Sequence, residues 1–284
     1  MKILITTPNG KVGSGVAKAL LAQGIDVRIG AHTVDKARQA FPGADVVPFA
    51  YGDDASVTAA LDGVTALYSA APGDMPADIQ NRTIDLAKAA GVQRVVRLSA
   101  FGVEQGESSL RAVEQHIEAS SLQWTHLRPS WFMQNYSTIW AGGIRQGALT
   151  EPAADAKTAH IDTRDISAVA VKALLEDGHH GQGYPLTGAE ALDRHQVVAY
   201  LSEVAGFPVQ YIAQTEDEYR ATMAPFMSPH YLEIMSALYA GVRAGWSATV
   251  TDTVAGLLGR APISFKQFAQ DHAAVWAQQT ERAV

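Results

Sequence analysis

The chain has 284 residues, a formal net charge of −7, 47% hydrophobic and 18% charged residues, and no cysteine. That composition excludes disulfides, thiol catalysis and thiolate metal sites, argues against nucleic acid as the main partner, and offers no apolar run near the roughly 18 residues needed to span a bilayer. The length allows one large domain, or one with a smaller lobe, and with no basic leader and cleavage site in view a cytoplasmic protein is expected.

The chain opens on Lys2-Ile3-Leu4-Ile5-Thr6-Thr7-Pro8-Asn9-Gly10-Lys11-Val12-Gly13. This predicts a strand over Ile3–Thr6, a glycine-bearing turn, and a helix over 11–23. Such a unit presents backbone N–H groups at the positive end of a helix dipole, the usual cradle for a dinucleotide pyrophosphate. Glycine-type positions are expected at 7, 10 and 13, but position 7 is threonine. Two glycines alone are a weak signal, and the strand-to-helix context strengthens it. Thr6, Thr7, Asn9, Gly10, Lys11, Val12 and Gly13 are thus candidates for holding a cofactor, although Thr7 and Pro8 place side chains where bare backbone is usual.

Further strands are predicted over Val27–Ala31, Asp45–Pro48, Ala66–Ala70, Arg94–Ser99 and Trp124–Arg128, with helices near 35–41, 55–61, 77–90 and 108–119. Gly24, Gly43, Gly63 and Gly91 sit where helices end. Six strands with intervening helices predict an α/β fold, a Rossmann-type doubly wound parallel sheet. NAD sites commonly carry an acid at the end of the second strand. Here the strand runs into Ala31-His32-Thr33-Val34-Asp35-Lys36. His32, Thr33 and Lys36 can meet a ribose 2′-phosphate, which favours NADPH and leaves NADH possible. The other strand ends should line the same crevice: Ala50 and Tyr51; Ala70, Ala71 and Pro72; Ser99, Ala100 and Phe101. Each of these can equally be ordinary loop packing.

The later sequence is less regular. Trp131–Trp140 is aromatic and predicts a helix; Ile166–Leu175 predicts another, with Asp165 as its N-cap. Strands are expected over Gly183–Thr187 and Pro208–Ile212, and helices over 194–205, 215–223, 229–243 and 263–276. The expected division is a cofactor domain over 1–150, with later segments returning to it, and a smaller, mostly helical C-terminal substrate lobe over 151–284 packed on the open edge of the sheet. Trp131, Phe132, Tyr136 and Trp140 suit the stacking of flat ligands. Asn135 can orient a polar substituent, and Met223 and Met227 can form an adaptable cover; all of them can also be simple core.

Asn9-Gly10-Lys11-Val12-Gly13, Ala89-Ala90-Gly91-Val92-Gln93-Arg94-Val95-Val96-Arg97-Leu98-Ser99, Leu127-Arg128-Pro129-Ser130-Trp131-Phe132-Met133-Gln134-Asn135 and Gly256-Leu257-Leu258-Gly259-Arg260-Ala261-Pro262-Ile263-Ser264-Phe265 together resemble the NmrA-like branch of atypical short-chain dehydrogenase/reductases. The resemblance is strongest to its triphenylmethane dye, quinone, azo and ergot-alkaloid-type reductases. It implies a Rossmann domain, NADPH and a variable aromatic pocket; the branch also holds redox sensors that bind NADP without turnover.

No tyrosine is followed by lysine four residues later, and no lysine lies between Lys88 and Lys157. The acid pair of the wider superfamily is therefore missing, and the catalytic residue is unknown. His116 is a candidate acid that reads more simply as a surface residue. His160, His179 and His180 lack the spacing of a metal site, and no Gly-x-Ser-x-Gly occurs. NADPH without that pair points to direct hydride delivery to a quinone, azo dye, triarylmethane dye or iminium ion. The alternatives are a non-catalytic NADP sensor acting through a protein partner, and an isomerase or epimerase using the cofactor reversibly. The expected partner is a small aromatic or quinonoid molecule, with no nucleic acid or membrane, and the chain is a monomer or homodimer.

Overall fold

The computed structural model describes residues 1–277, and the chain divides into two units. The first is Met1–Pro129 with Thr163–Leu186; the second is Ser130–Asp162 with the chain from Thr187 onward. The division thus falls at residue 129 rather than 150, and one later segment returns to the first unit.

The first unit holds seven parallel strands: β1 (Lys2–Ile5), β2 (Asp26–Ala31), β3 (Asp45–Pro48), β4 (Ala66–Ser69), β5 (Arg94–Leu98), β6 (Gln123–Pro129) and one from the returning segment, Gln182–Leu186. After β7 (Ala148–Glu151) of the second unit, that strand is β8, and the sheet order is β3-β2-β1-β4-β5-β6-β8. The order reverses at β1 and β4, so the crevice beyond the carboxyl ends of these strands is where an open α/β sheet takes ligands. The intervening helices are α1 (Gly13–Ala22), α2 (Val34–Ala40), α3 (Asp54–Leu61), α4 (Ala77–Ala89) and α5 (Ser109–Glu118). Leu4, Leu67 and Val95 of the sheet meet Val57, Ile84, Val113 and Ile117 of α3–α5 in one buried cluster. After α6 (Ala141–Arg145) of the second unit, the returning segment supplies α7 (Thr163–Leu175). It packs so closely on α1 that a Cβ at Gly15 would lie 2.4 Å from Ser167 Oγ.

The second unit pairs β7 with β9 (Gln210–Ala213) in a two-stranded parallel ribbon. Around it lie α8 (Arg194–Ala205), α9 (Glu216–Met223), α10 (Pro229–Arg243), α11 (Thr253–Leu258), α12 (Phe265–Asp271) and α13 (Ala273–Trp276). Asp193 and Thr215 close reciprocal capping boxes on α8 and α9. No helix among the described residues is long and apolar enough to cross a membrane.

Several expectations need correction. Trp131–Trp140 is not a helix: a single 3₁₀ turn spans Met133–Asn135, and the Trp140 N–H returns to the Asn135 carbonyl. Asp165 is not an N-cap, because α7 starts at Thr163 and places Asp165, buried, in its first turn. The helix expected over 263–276 breaks at His272, where the imidazole Nδ1 lies 2.9 Å from the Phe268 carbonyl and competes for a helical acceptor.

Candidate functional site

The turn after β1 carries the sharpest geometry. Thr7 adopts φ of 51°, the left-handed region that glycine ordinarily fills and that is costly for a β-branched residue. Its hydroxyl donates to the Ala70 carbonyl at 2.7 Å, which offsets part of that strain. The side chain therefore folds back into the protein, and the Thr7 carbonyl accepts from the Gly10 N–H. A Cβ at Gly13 would lie 2.4 Å from the Thr7 carbonyl oxygen, so only glycine lets α1 start this close to the turn. Val12 stands at the N-cap and is buried, Asn9 is exposed, and burial lowers the Lys11 amine.

Three strand ends meet at Ala70. Tyr51, after β3, donates its hydroxyl to the Ala70 carbonyl at 2.6 Å. The Thr6 hydroxyl is a third donor within reach of that carbonyl, at 2.9 Å. The Thr6 hydroxyl accepts from the Ala70 N–H at 2.9 Å and donates to the Tyr68 carbonyl at 3.1 Å. Ala50 is tied to Ser56 at 3.1 Å, Ala71 is half-buried, and Pro72 is exposed. Ser99 and Phe101 use their N–H groups on the carbonyls of Leu127 and Pro129, with Ala100 half-buried between them. At the end of β2, His32, Thr33 and Lys36 are all exposed, and Thr33 makes no side-chain cap on α2.

Below this edge the sheet face under α4 and α5 is unexpectedly polar. Ser69, Arg97 and His126 stand in register across β4, β5 and β6. Arg128 lies two residues beyond His126, so its side chain leaves the same face. Arg97 is 1% exposed and donates to Gln80 Oε1 at 2.5 Å and Ser69 Oγ at 3.4 Å. The Glu114 side chain is fully buried and takes both Arg128 bonds, 3.0 and 2.8 Å, and one from Arg111 at 2.9 Å. Glu118 takes two bonds from Arg111, 2.6 and 3.1 Å. Burial raises the Glu114 carboxyl, but Arg128, Ser99 and His126 outweigh it and hold it below the usual carboxylate range.

Glu114, Glu118 and His126 converge within 4.8 Å of one another, a spacing that suits a metal. Every carboxylate oxygen in the group already accepts from Arg111 or Arg128. Two guanidiniums balance two carboxylates, so the arrangement is an internal ion network. Burial, reinforced by Arg128 and Arg97 and opposed by Glu114 and Glu118, lowers His126 to about 4. His116 is bound to Asp85 at 2.7 Å on the surface of α5. His179 bonds the Tyr184 hydroxyl at 2.8 Å.

In the second unit the aromatic and methionine candidates separate into two groups. Trp131 packs on Tyr239 with ring centroids 4.9 Å apart and planes tilted by 42°, and with Met223, Met227 and Met235 it covers a cluster of Ala153, Tyr219, Leu232 and Val242. Tyr136 is fully buried in the other cluster, against Trp140, His160 and Phe265, with its hydroxyl 2.9 Å from His160 Nε2. It has no ring face left for a ligand and is a core residue. Trp140 is half-buried beside it, Phe132 is half-buried and bridges to Ile161, and Asn135 is half-buried in the turn. Arg194 and Glu151, both fully buried, form an ion pair at 2.7 Å, and Arg194 also donates to Thr158 Oγ1 at 2.7 Å.

Sequence reasoning missed Arg97, Gln80 and the Arg128–Glu114 pair. The signal was available: positions 95 and 97 of β5, and 124, 126 and 128 of β6, share one face by alternation, and charged residues recur there among apolar ones.

The sequence model of the NmrA-like family matches residues 1–245. A (4-alkanoyl-5-oxo-2,5-dihydrofuran-3-yl)methyl phosphate reductase of Streptomyces griseus is 35% identical over 282 residues, 97% of this chain and 99% of its own. An NAD(P)H azoreductase of Xenophilus azovorans is 35% identical over 286 residues, 96% of this chain and 99% of its own. An NADPH-dependent quinone oxidoreductase of Escherichia coli, solved with NADPH, matches with a TM-score of 0.82 at 24% identity, covering 95% of this chain and 99% of that one. This last match is a likeness of fold.

Proposed function

The chain belongs to the NmrA-like family, and from that premise we propose that it is an NADPH-dependent reductase of flat conjugated acceptors, of the quinone and azo type, with NADH as the weaker donor. The observation that carries the reading is Gly13. The 2.4 Å clearance from its Cβ position to the Thr7 carbonyl keeps the first turn of α1 bare at the switch point of the sheet. The N-terminal end of α1 there fits a pyrophosphate, and exposed His32, Thr33 and Lys36 fit a 2′-phosphate. Thr6, Thr7, Asn9, Gly10, Lys11 and Val12 form the rest of that cradle. Ala50, Tyr51, Ala70, Ala71, Pro72, Ser99, Ala100 and Phe101 flank it.

Reduced nicotinamide, when bound, supplies a hydride. The protein contributes orientation and exclusion of water. Without a Tyr-x-x-x-Lys pair, the acceptors that suit this chain are those whose conjugation takes up hydride with little help from a protein acid: quinones, azo-quinone tautomers, triarylmethane cations and iminium ions. Trp131, Met223 and Met227, which stand together in one group, are the side chains that suit the acceptor, while Trp140 lies with the buried Tyr136 in the other group.

The test of the cofactor assignment is an equilibrium titration followed by nicotinamide fluorescence. Saturable one-to-one NADPH binding, tighter than NADH and lost in Gly13→Ala, is expected. Equal NADPH binding by the wild type and Gly13→Ala overturns the assignment.

A further inference from the structure

We infer that Gln80, fixed by the buried Arg97 guanidinium, is a positioning residue that holds the loop after β4 in the shape that receives the cofactor. Arg97 is 1% exposed and Gln80 3% exposed. Arg97 Nη2 donates to Gln80 Oε1 at 2.5 Å, and Gln80 Nε2 donates to the Met75 carbonyl at 2.8 Å. The two bonds fix which end of the amide points where: its oxygen must face the guanidinium, so its NH₂ must face the loop. A charge-assisted bond at one end polarises the amide and strengthens the donor at the other.

The loop is short and held at both ends. Its start, Ala70, is bound by Thr7, Tyr51 and the Thr6 hydroxyl. Its far part turns back on itself through the Met75 N–H and the Pro72 carbonyl. Gln80 is the side chain that grips that turn from α4. A fully buried guanidinium whose protein hydrogen bonds go to a neutral amide and a serine, and to no carboxylate, is an expensive way to fill a core. Gly52, Ser56 and other ordinary loop devices hold the turn after β3. The turn after β4 is instead held from a buried cation.

This inference rests on the proposed cofactor site, so its test has a readout that does not involve the cofactor. Gln80→Glu keeps a partner for Arg97, and a stronger one, but an ionised carboxylate has no N–H for the Met75 carbonyl. Gln80→Leu removes both bonds. In cofactor-free protein, hydrogen exchange of the amides over 71–76 should rise about tenfold in both variants, the change that losing one ordinary hydrogen bond makes. The dissociation constant for NADPH should rise about fivefold to tenfold in both. Thermal stability should fall in Gln80→Leu alone. If Gln80 served only to satisfy Arg97, Gln80→Glu would keep wild-type loop exchange and wild-type NADPH affinity, and either result overturns the inference. Were the wild type to bind no NADPH, the cofactor reading would fall, while the exchange contrast would still support or overturn the hold on the loop.

Discussion

Among the described residues each unit buries one guanidinium almost completely, Arg97 at 1% and Arg194 at 0% exposure, and the two are answered differently. Arg194 closes on the carboxylate of Glu151 and on Thr158, groups that are themselves buried. The charge is spent inside the core of the second unit, where it fixes how α8 meets β7. Arg97 closes on Gln80, a neutral amide whose other end holds a loop at the carboxyl edge of the sheet. A buried ion pair fixes a core; a buried cation answered by an amide passes its constraint to whatever the amide holds.

The largest effects should separate these two cations. Arg194→Met strands the buried Glu151 carboxylate, and the loss of one partner from such a pair costs about 3–5 kcal/mol. Arg97→Met strands only neutral groups, at about 1–3 kcal/mol. Urea denaturation of both variants checks the order, and equal losses would erase the distinction. NADPH affinity should move the other way, weakened by Arg97→Met and kept by folded Arg194→Met.

Gly13→Ala sharpens the same edge without touching a charge. Its methyl has no room beside the Thr7 carbonyl, so α1 must shift, and NADPH affinity should fall at least about tenfold. An unshifted affinity in this variant would remove the turn after β1 from the site.

The ion network under α5 gives a pH signature. His126 is held neutral in the folded chain, its pKa lowered to about 4 by burial and by Arg128 and Arg97, while the unfolded residue titrates near 6.5. The unfolded chain therefore takes up the proton first. Stability is full above about pH 6.5, falls as the pH drops, and levels once the folded form is protonated below about 4, a loss of about 3 kcal/mol. His126→Phe keeps the stacking on Trp124 and should flatten the decline between neutral and mildly acid pH. An unchanged slope in that variant would assign the decline to other groups. The smallest effect is expected at the exposed end of β2, where His32→Glu should shift the NADPH to NADH preference about threefold to tenfold toward NADH. An unmoved ratio would take His32 out of the site.

The first unit was legible because its information is local. Its strands are short apolar runs, the helices α1 and α4 between them are closed by the positive-φ glycines Gly24 and Gly91, and every strand limit lies within one residue of expectation. The second unit depends on distant pairings. β7 was missed because its partner β9 lies some sixty residues away, so nothing near Ala148–Glu151 announces a strand. Over Trp131–Trp140 the aromatic spacing predicted a helix, and the need to bury Tyr136 against Phe265 bent the chain into a tight turn instead. At the carboxyl edge of the sheet the glycine turn was readable, but the role of Thr7 was not. Only the tertiary contact with Ala70 shows that its side chain folds back into the protein.

Steady-state oxidation of NADPH by the wild-type protein, with a naphthoquinone, an azo dye, a triarylmethane dye and a plain dialkyl ketone as acceptors, separates a reductase from a cofactor sensor. Saturable turnover is expected with at least one of the conjugated acceptors and none with the ketone, for which a protein acid would be needed. Tight NADPH binding with no turnover across the panel would contradict it and make the chain a sensor of the cofactor.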